Sequence, residues 1–390
     1  MPWKETCSMY ERLKLVEAFL DEEDSMAELC RQFGVSRKTA YKWVTRYDRD
    51  NPLALLDQSR APRHHLNAVP REVENEILKL RGKKMKRGPL KLLARLQKTH
   101  PHLALPCAST VAEILKRNGL AAVRRKRNHA TPSAQPLASA IAANDIWCVD
   151  FKGWFLCGNG IRCDPLTISD AASRYLLRCQ AMTGQTGFEQ VRPFFEATFR
   201  EYGLPLAIHS DNGAPFATVG LAGLSRLSVW WIRLGIRPDR SRPGKPQDNG
   251  RHERMHRTLK EEALSPPAAN ARQQQMVFDF FREEYNEERP HQALGQKPPA
   301  LFYAPSPRPY PSRLAPVEYP DDWERRKIKD SGRMKWKGKE IGVCQALTGE
   351  QVGLEPIDDG VWRIHFCQYP VGIFNEKRMR IMPLPKKKKK

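Results

Sequence analysis

The chain has 390 residues, with 66 Lys+Arg against 44 Asp+Glu, a formal net charge of +22 and a pI near 9.7. That length allows two to four domains and an ample core, and the cation excess argues for a polyanionic partner rather than a generic neutral surface. No apolar run approaches the ~20 residues of a membrane-spanning helix and the N-terminus lacks a signal pattern, so neither secretion nor membrane insertion is expected.

The charge is uneven. Residues 1–143 hold 27 Lys+Arg against 15 Asp+Glu, residues 144–305 hold 20 against 18, and residues 306–390 hold 19 against 11. Cationic flanks around a near-neutral middle suit two nucleic-acid grips around a catalytic centre. The nine cysteines are scattered without zinc-like pairing and read as reduced thiols of a cytoplasmic protein.

Residues 1–50 read as a helix-turn-helix domain. A first helix covers Met9–Leu20. Ser25 with Glu28 forms a capping-box pattern for a second, which should stop at Phe33-Gly34. Ser36 opens a third, Arg37–Tyr47, on which Ala40, Trp43, Val44 and Tyr47 make one buried stripe. Arg37, Lys38, Tyr41 and Lys42 stay on its open side, placed for a major groove; the alternative is a plain three-helix packing module.

Residues 51–67 read as a linker and residues 68–120 as a second helix-turn-helix domain, with helices at Arg71–Arg81, from Pro89 through Leu96, and from Ser109 or Thr110 to Asn118-Gly119. Lys83, Lys84, Lys86 and Arg87 between its helices are either phosphate contacts or a solvated loop. Residues 121–143, with Arg124, Arg125, Lys126 and Arg127, form a basic linker suited to lying along a DNA backbone.

Residues 144–305 alternate strand-like and helix-like segments, the pattern of a mixed α/β layer. Strands are expected at Ile146–Phe151, Arg162–Asp170, Tyr175–Met182 and Leu206–His209, with a helix at Phe188–Tyr202. Asp150 ends the first strand and Asp211 follows the last, positions where a carboxylate is costly without a cation. A further helix, capped by Asp248 or Asn249, puts Glu253, His256, Arg257 and Lys260 at i, i+3, i+4 and i+7. Taken alone that face is equally an exposed helix in which Glu253 pairs with Arg257. Three converging carboxylates repel one another, and hard divalent cations relieve the repulsion. Lys245, His256, Arg257 and Lys260 are the phosphate contacts expected of this core.

Residues 306–330 are Pro-rich and read as a linker, and residues 331–385 read as a small β-barrel in which Trp362, Ile364 and Phe366 share one face. Residues 386–390 are a lysine tail.

The segments Trp147-Cys148-Val149-Asp150-Phe151, His209-Ser210-Asp211-Asn212-Gly213 and Pro243–Lys260, followed by Tyr285-Asn286, Arg289-Pro290-His291-Gln292-Ala293-Leu294-Gly295 and Pro298-Pro299-Ala300, carry a resemblance over roughly residues 9–305. The chain resembles bacterial insertion-sequence transposases with an integrase core, of the DDE class and the RNase H-like, retroviral-integrase superfamily. The resemblance implies that Asp150, Asp211 and Glu253 are the catalytic and metal-binding triad. It implies two Mg²⁺ ions, with Mn²⁺ able to substitute, bridged by Asp150 and serving strand cleavage and strand transfer. The implied partners are double-stranded DNA, as terminal inverted repeats and target, and a second copy of the chain, in a nucleoid-associated setting. The rival readings are a non-catalytic DNA-binding regulator and a plain metal-dependent nuclease. One departure is visible. Such enzymes often place roughly thirty-five residues between the second and third acids, and here 41 intervene; the excess falls at Thr218–Leu227, expected as an inserted loop. Asp248 competes as third acid, but its Asp-Asn-Gly setting reads better as a turn and cap.

Overall fold

In a computed structural model the described residues are 7–58, 68–83, 87–121, 137, 139–242 and 246–385. They fall into two compact units, residues 1–69 and residues 70–390. No helix among them is long and apolar enough to cross a membrane. All nine cysteines are free thiols.

The first unit is three helices, α1 (Ser8–Leu20), α2 (Met26–Phe33) and α3 (Arg37–Arg46). Ser25 and Ser36 accept from the backbone N–H of Glu28 and Thr39, and Gly34 closes α2 at φ +62°. Val16, Leu29, Ala40 and Trp43 form the core; Val44 and Tyr47 of the expected stripe are only half-buried. The expected linker begins inside this core. Pro52–Leu55 is a 3-10 turn, Leu55 is fully buried, and Arg12 binds its carbonyl at 2.8 Å. An apolar residue three positions past a proline carried no helical period to reveal it.

The second unit opens with α4 (Arg71–Lys83), α5 (Pro89–Thr99) and α6 (Ala108–Arg117), packed through Val73, Ile77, Leu92, Leu96, Val111, Ile114 and Leu115. Then come β1 (Ile146–Phe151), β2 (Phe155–Leu156), β3 (Arg162–Asp170), β4 (Leu176–Thr183), α7 (Phe188–Tyr202), β5 (Ala207–Ser210), α8 (Arg226–Arg233), β6 (Arg237–Arg240), α9 (Gly250–Ala263) and α10 (Ala271–Glu287). The sheet runs β3-β1-β5-β6, with β4 and the short β2 both on β3; β1, β3 and β4 are antiparallel, while β1, β5 and β6 are parallel. Trp147 and Val149 of β1 pack toward Phe195 and Phe199 of α7 and Trp230 and Trp231 of α8. On the other face Leu176 and Cys179 of β4 meet Met255 and Leu259 of α9 and Phe278 and Phe281 of α10. By strand alternation Cys148 and Asp150 belong to the α9 side. This is a three-layer mixed α/β fold.

The C-terminal strands are β7 (Glu324–Lys327), β8 (Arg333–Trp336), β9 (Lys339–Gly342), β10 (Gln351–Asp358), β11 (Val361–Phe366), β12 (Tyr369–Asn375) and β13 (Arg380–Met382). They do not make the expected closed barrel. Five form an open antiparallel sheet, β13-β12-β11-β10-β7, and β8-β9 is a separate hairpin; no ladder joins the edges among the described residues. Alternation on β11 holds, with Ile364 and Phe366 buried and Trp362 half-buried. The expected Pro-rich linker is not free either. Ser306 donates to the Leu204 carbonyl at 2.7 Å, Arg308 to the Pro205 carbonyl at 2.7 Å, and Tyr310 packs on the core. The expected inserted loop is structured: Leu221–Gly223 is a 3-10 turn, and Leu221 and Leu224 pack with Val229 and Ile232 of α8 into the C-terminal core. A run with neither period 2 nor period 3.6 looked like surplus loop; its leucines are the dock for a sheet more than a hundred residues on.

Candidate active site

Strand pairing brings two acids to one edge. Cys148 of β1 lies opposite His209 of β5 in parallel register, so two residues further along each strand stand Asp150 and Asp211. Neighbouring strands are about 4.8 Å apart, and in-register parallel residues share a face. Asp211 accepts from the Gly213 N–H at 3.0 Å.

The third acid is delivered by α9, and α9 is pinned to β3 opposite Asp150. Thr167 is the antiparallel partner of Asp150, and its Oγ1 donates to the Asp150 carbonyl at 3.0 Å. The same oxygen lies 2.7 Å from Nε2 of both His252 and His256. With the hydroxyl proton on Asp150, both imidazoles must donate, so each is a neutral Nε2–H tautomer. Ser169 Oγ lies 2.9 Å from the bare His252 Nδ1 and can donate to it. Burial holds His256 down to about 3 and His252 well below its ordinary value. At the start of α9, Asn249 donates from Nδ2 to Asp150 Oδ2 at 2.9 Å.

Electrostatics places the three acids in one field. Burial, reinforced by the charges of Asp211 and Glu253, pushes the Asp150 carboxyl up to about 7. Among the described residues no three acidic, His or Cys groups already stand at metal-ligand spacing, so the carboxylates share a field without meeting at one point. The donor set still fits a hard divalent cation. It offers carboxylate oxygens, a crowded negative charge, and an Asp150 with no cationic hydrogen-bond partner among the described residues.

The remaining expected residues divide. Arg37, Lys38, Tyr41 and Lys42 are exposed on α3, with the Lys42 ammonium 4.5 Å from the Trp43 ring. Arg257 and Lys260 are exposed on α9 beside Glu253. His256 is not a phosphate contact: it is 7 % exposed, neutral and bonded to Thr167. Helical spacing put it with the charged face, but the α9 axis lies close enough to the sheet to bury it. Arg87 is likewise no surface cation; it is 1 % exposed and ion-paired to Glu284. Arg124, Arg125, Lys126, Arg127, Lys245, Lys84, Lys86 and the tail at 386–390 lie outside the described residues. Asp248 neither caps α9 nor competes for the triad. Arg242 clasps it with two bonds of 2.8 Å, which hold its carboxyl down to about 2. His209 is a packed histidine, its Nδ1 2.8 Å from Asp239. Sequence reading missed Thr167, Ser169 and Lys152; Asn249, expected as a possible cap, does stand at the N-cap of α9, but its side chain bonds Asp150 rather than the helix backbone. Lys152 stands near Asp150 and Lys260, burial and Lys260 lowering its ammonium; its place two residues past Asp150 was the available signal.

The chain matches four domain families: a helix-turn-helix domain over residues 11–63, integrase core domains over residues 141–246 and 234–299, and the IS481 family transposase C-terminal domain over residues 324–378. It is similar to an uncharacterized protein of insertion element IS407 from Burkholderia multivorans, at 28 % identity over 62 % of this chain and 85 % of that protein. It is also similar to the putative transposase InsD of insertion element IS2E from Escherichia coli, at 28 % identity over 50 % of this chain and 90 % of that protein. Among solved structures, the HTLV-2 integrase catalytic core domain in complex with magnesium aligns with a TM-score of 0.33 and 16 % identity, over 42 % of this chain and 98 % of that one. The N-terminal helices are thus a helix-turn-helix domain and the central layer an integrase core, domains that imply DNA binding, and integrase cores generally work with divalent metal.

Proposed function

We propose that this chain, an insertion-sequence transposase with an integrase core, cuts and joins DNA at the ends of its element with Asp150, Asp211 and Glu253 as the acidic triad. The observation that carries the reading is Asp150, a half-buried carboxyl raised to about 7 by its burial and by the two acids the sheet and α9 bring beside it. Asp150 takes the central position because β1 lies between β5 and the α9 anchor on β3. Asn249 orients one of its oxygens. Mg²⁺, with Mn²⁺ as substitute and two ions as the working number, would supply Lewis acidity and charge neutralisation at the scissile phosphate. Lys152, Arg257 and Lys260 would hold non-bridging phosphate oxygens, and the neutral His252–Thr167–His256 cluster would keep Glu253 at its station. Arg37, Lys38, Tyr41 and Lys42 would read the terminal inverted repeats from the major groove, and two ends joined in one event call for at least two copies of the chain.

The test is nicking of a supercoiled plasmid carrying the element's ends, with Mg²⁺ or Mn²⁺, followed by transfer of a 3′-hydroxyl end into a second DNA. Wild type should nick and join, and Asp150→Asn and Glu253→Gln should do neither. Equal activity in all three would defeat the assignment, and nicking without joining would make the protein a nuclease.

A further inference from the structure

Helix α9 presents a second charged face, roughly 140° round its axis from Glu253. There Arg251 and Arg254 meet Lys91 of α5, Arg174 of the β3–β4 turn and Arg289 beyond α10 around one cavity of about 140 Å³. Among the described residues only Arg289 of these five cations has a carboxylate partner, Glu262 at 2.5 Å. Arg251 is held in place by the Ala171 carbonyl at 3.1 Å. Tyr285, 7 % exposed, adds a phenol that stands among Arg174, Arg254 and Arg289. Four cations without a carboxylate partner, gathered beside the Arg289–Glu262 pair at one half-enclosed point, repel each other unless a further anion joins them. The strain shows at Lys91, whose ammonium is brought down to about 8 by burial and by Arg289 and Arg87, and at Arg174, lowered by burial and by Arg251. The residue types fit one ligand chemistry. Guanidinium groups from three directions offer paired N–H donors to tetrahedral oxygens, and arginine and lysine recognise phosphate in this way. A carboxylate ligand would leave most of these donors idle.

We propose that this cavity is a phosphate-binding site, distinct from the acidic centre, that takes either one phosphate group of a DNA backbone or free inorganic phosphate. Its position favours the backbone. Lys91 comes from the helical set before the core and Arg251 and Arg254 come from the helix that carries Glu253, so a phosphate here would tie that set to α9. DNA as the source rests on the DNA-handling reading above; the anion chemistry does not.

Two measurements on the full chain separate the sources. In one, thermal unfolding is followed in low salt as inorganic phosphate is titrated to millimolar levels, for wild type, Lys91→Met, Arg174→Gln and Arg254→Gln. In the other, binding of a random-sequence duplex is measured against salt for the same proteins. A backbone site predicts a log–log salt slope shallower by about one unit in the variants, because one phosphate contact is lost irrespective of sequence. A free-anion site predicts that phosphate raises the wild-type midpoint and leaves the variants unmoved. Arg254 is exposed, so Arg254→Gln decides the matter if the more buried variants do not fold. A folded Arg254→Gln protein with the wild-type slope and full phosphate protection overturns the site. Neither measurement uses strand cleavage, so an inactive triad would leave this result standing, and the reverse.

Discussion

Asp150 and Asp248 are carboxylates of the same core, and their surroundings drive them in opposite directions. Asp248, in the loop before α9, is clasped by Arg242 and sits at about 2. Asp150, at the end of β1, is pushed up to about 7 by burial and by Asp211 and Glu253, with Lys152 nearby but no cation bonded to its carboxyl among the described residues. An acid with a permanent cationic partner fixes structure; an acid surrounded by acids is poised for a cation that comes and goes. Counting acids along the chain cannot separate the two, because each stands near an element boundary and the charges close by in sequence do not mark a partner for either.

The contrast can be broken in activity first. Asp150→Asn should lower DNA cleavage by on the order of 10³-fold or more, the cost of several kcal/mol of transition-state stabilisation. Asp248→Asn, assayed where it remains folded, should lose less than about tenfold. Comparable losses in the two would erase the distinction. Stability should move the other way. In urea without divalent cations, Asp248→Asn should cost about 1–3 kcal/mol by leaving Arg242 unpaired, while Asp150→Asn should gain on the order of 1 kcal/mol by removing the repulsion.

The histidine anchor sharpens the picture through pH. His252 and His256 are held below their ordinary 6.5 in the fold, so the unfolded chain binds the extra protons. Their contribution is therefore intact above about 6.5 and is lost as pH falls from there toward 3, with a slope of up to about 1.4 kcal/mol per pH unit for each. His256→Asn should flatten that slope, and a slope unchanged by it would remove the neutral-cluster assignment. The smallest effect belongs to the exposed face of α9. Lys260→Ala should weaken DNA binding by about 1 kcal/mol or less and reduce the salt slope by about one unit, without sequence preference.

Much of this was legible in the sequence because local rules agree with the fold there. Ser25, Gly34 and Ser36 mark the helix-turn-helix boundaries, and the strands leading to Asp150 and Asp211 open on apolar residues of both faces, Ile146 to Val149 and Ala207 with Ile208, as a covered sheet requires. Helical spacing placed Glu253, Arg257 and Lys260 together but could not say where the sheet would cut across α9, which is why His256 was assigned to the wrong side. Thr167 and Asn249 serve Asp150 from 17 and 99 residues away, and no local pattern encodes such pairings. The C-terminal strands were visible as alternation, yet whether a sheet closes depends on pairing between edges, which alternation does not carry.

The most direct test of the triad is binding of Mn²⁺ to the full-length protein, read by electron paramagnetic resonance, for wild type, Asp150→Asn, Asp211→Asn and Asp248→Asn. The account predicts saturable binding in wild type and Asp248→Asn, and its loss in Asp150→Asn and Asp211→Asn. Equal Mn²⁺ binding in all four proteins would contradict it.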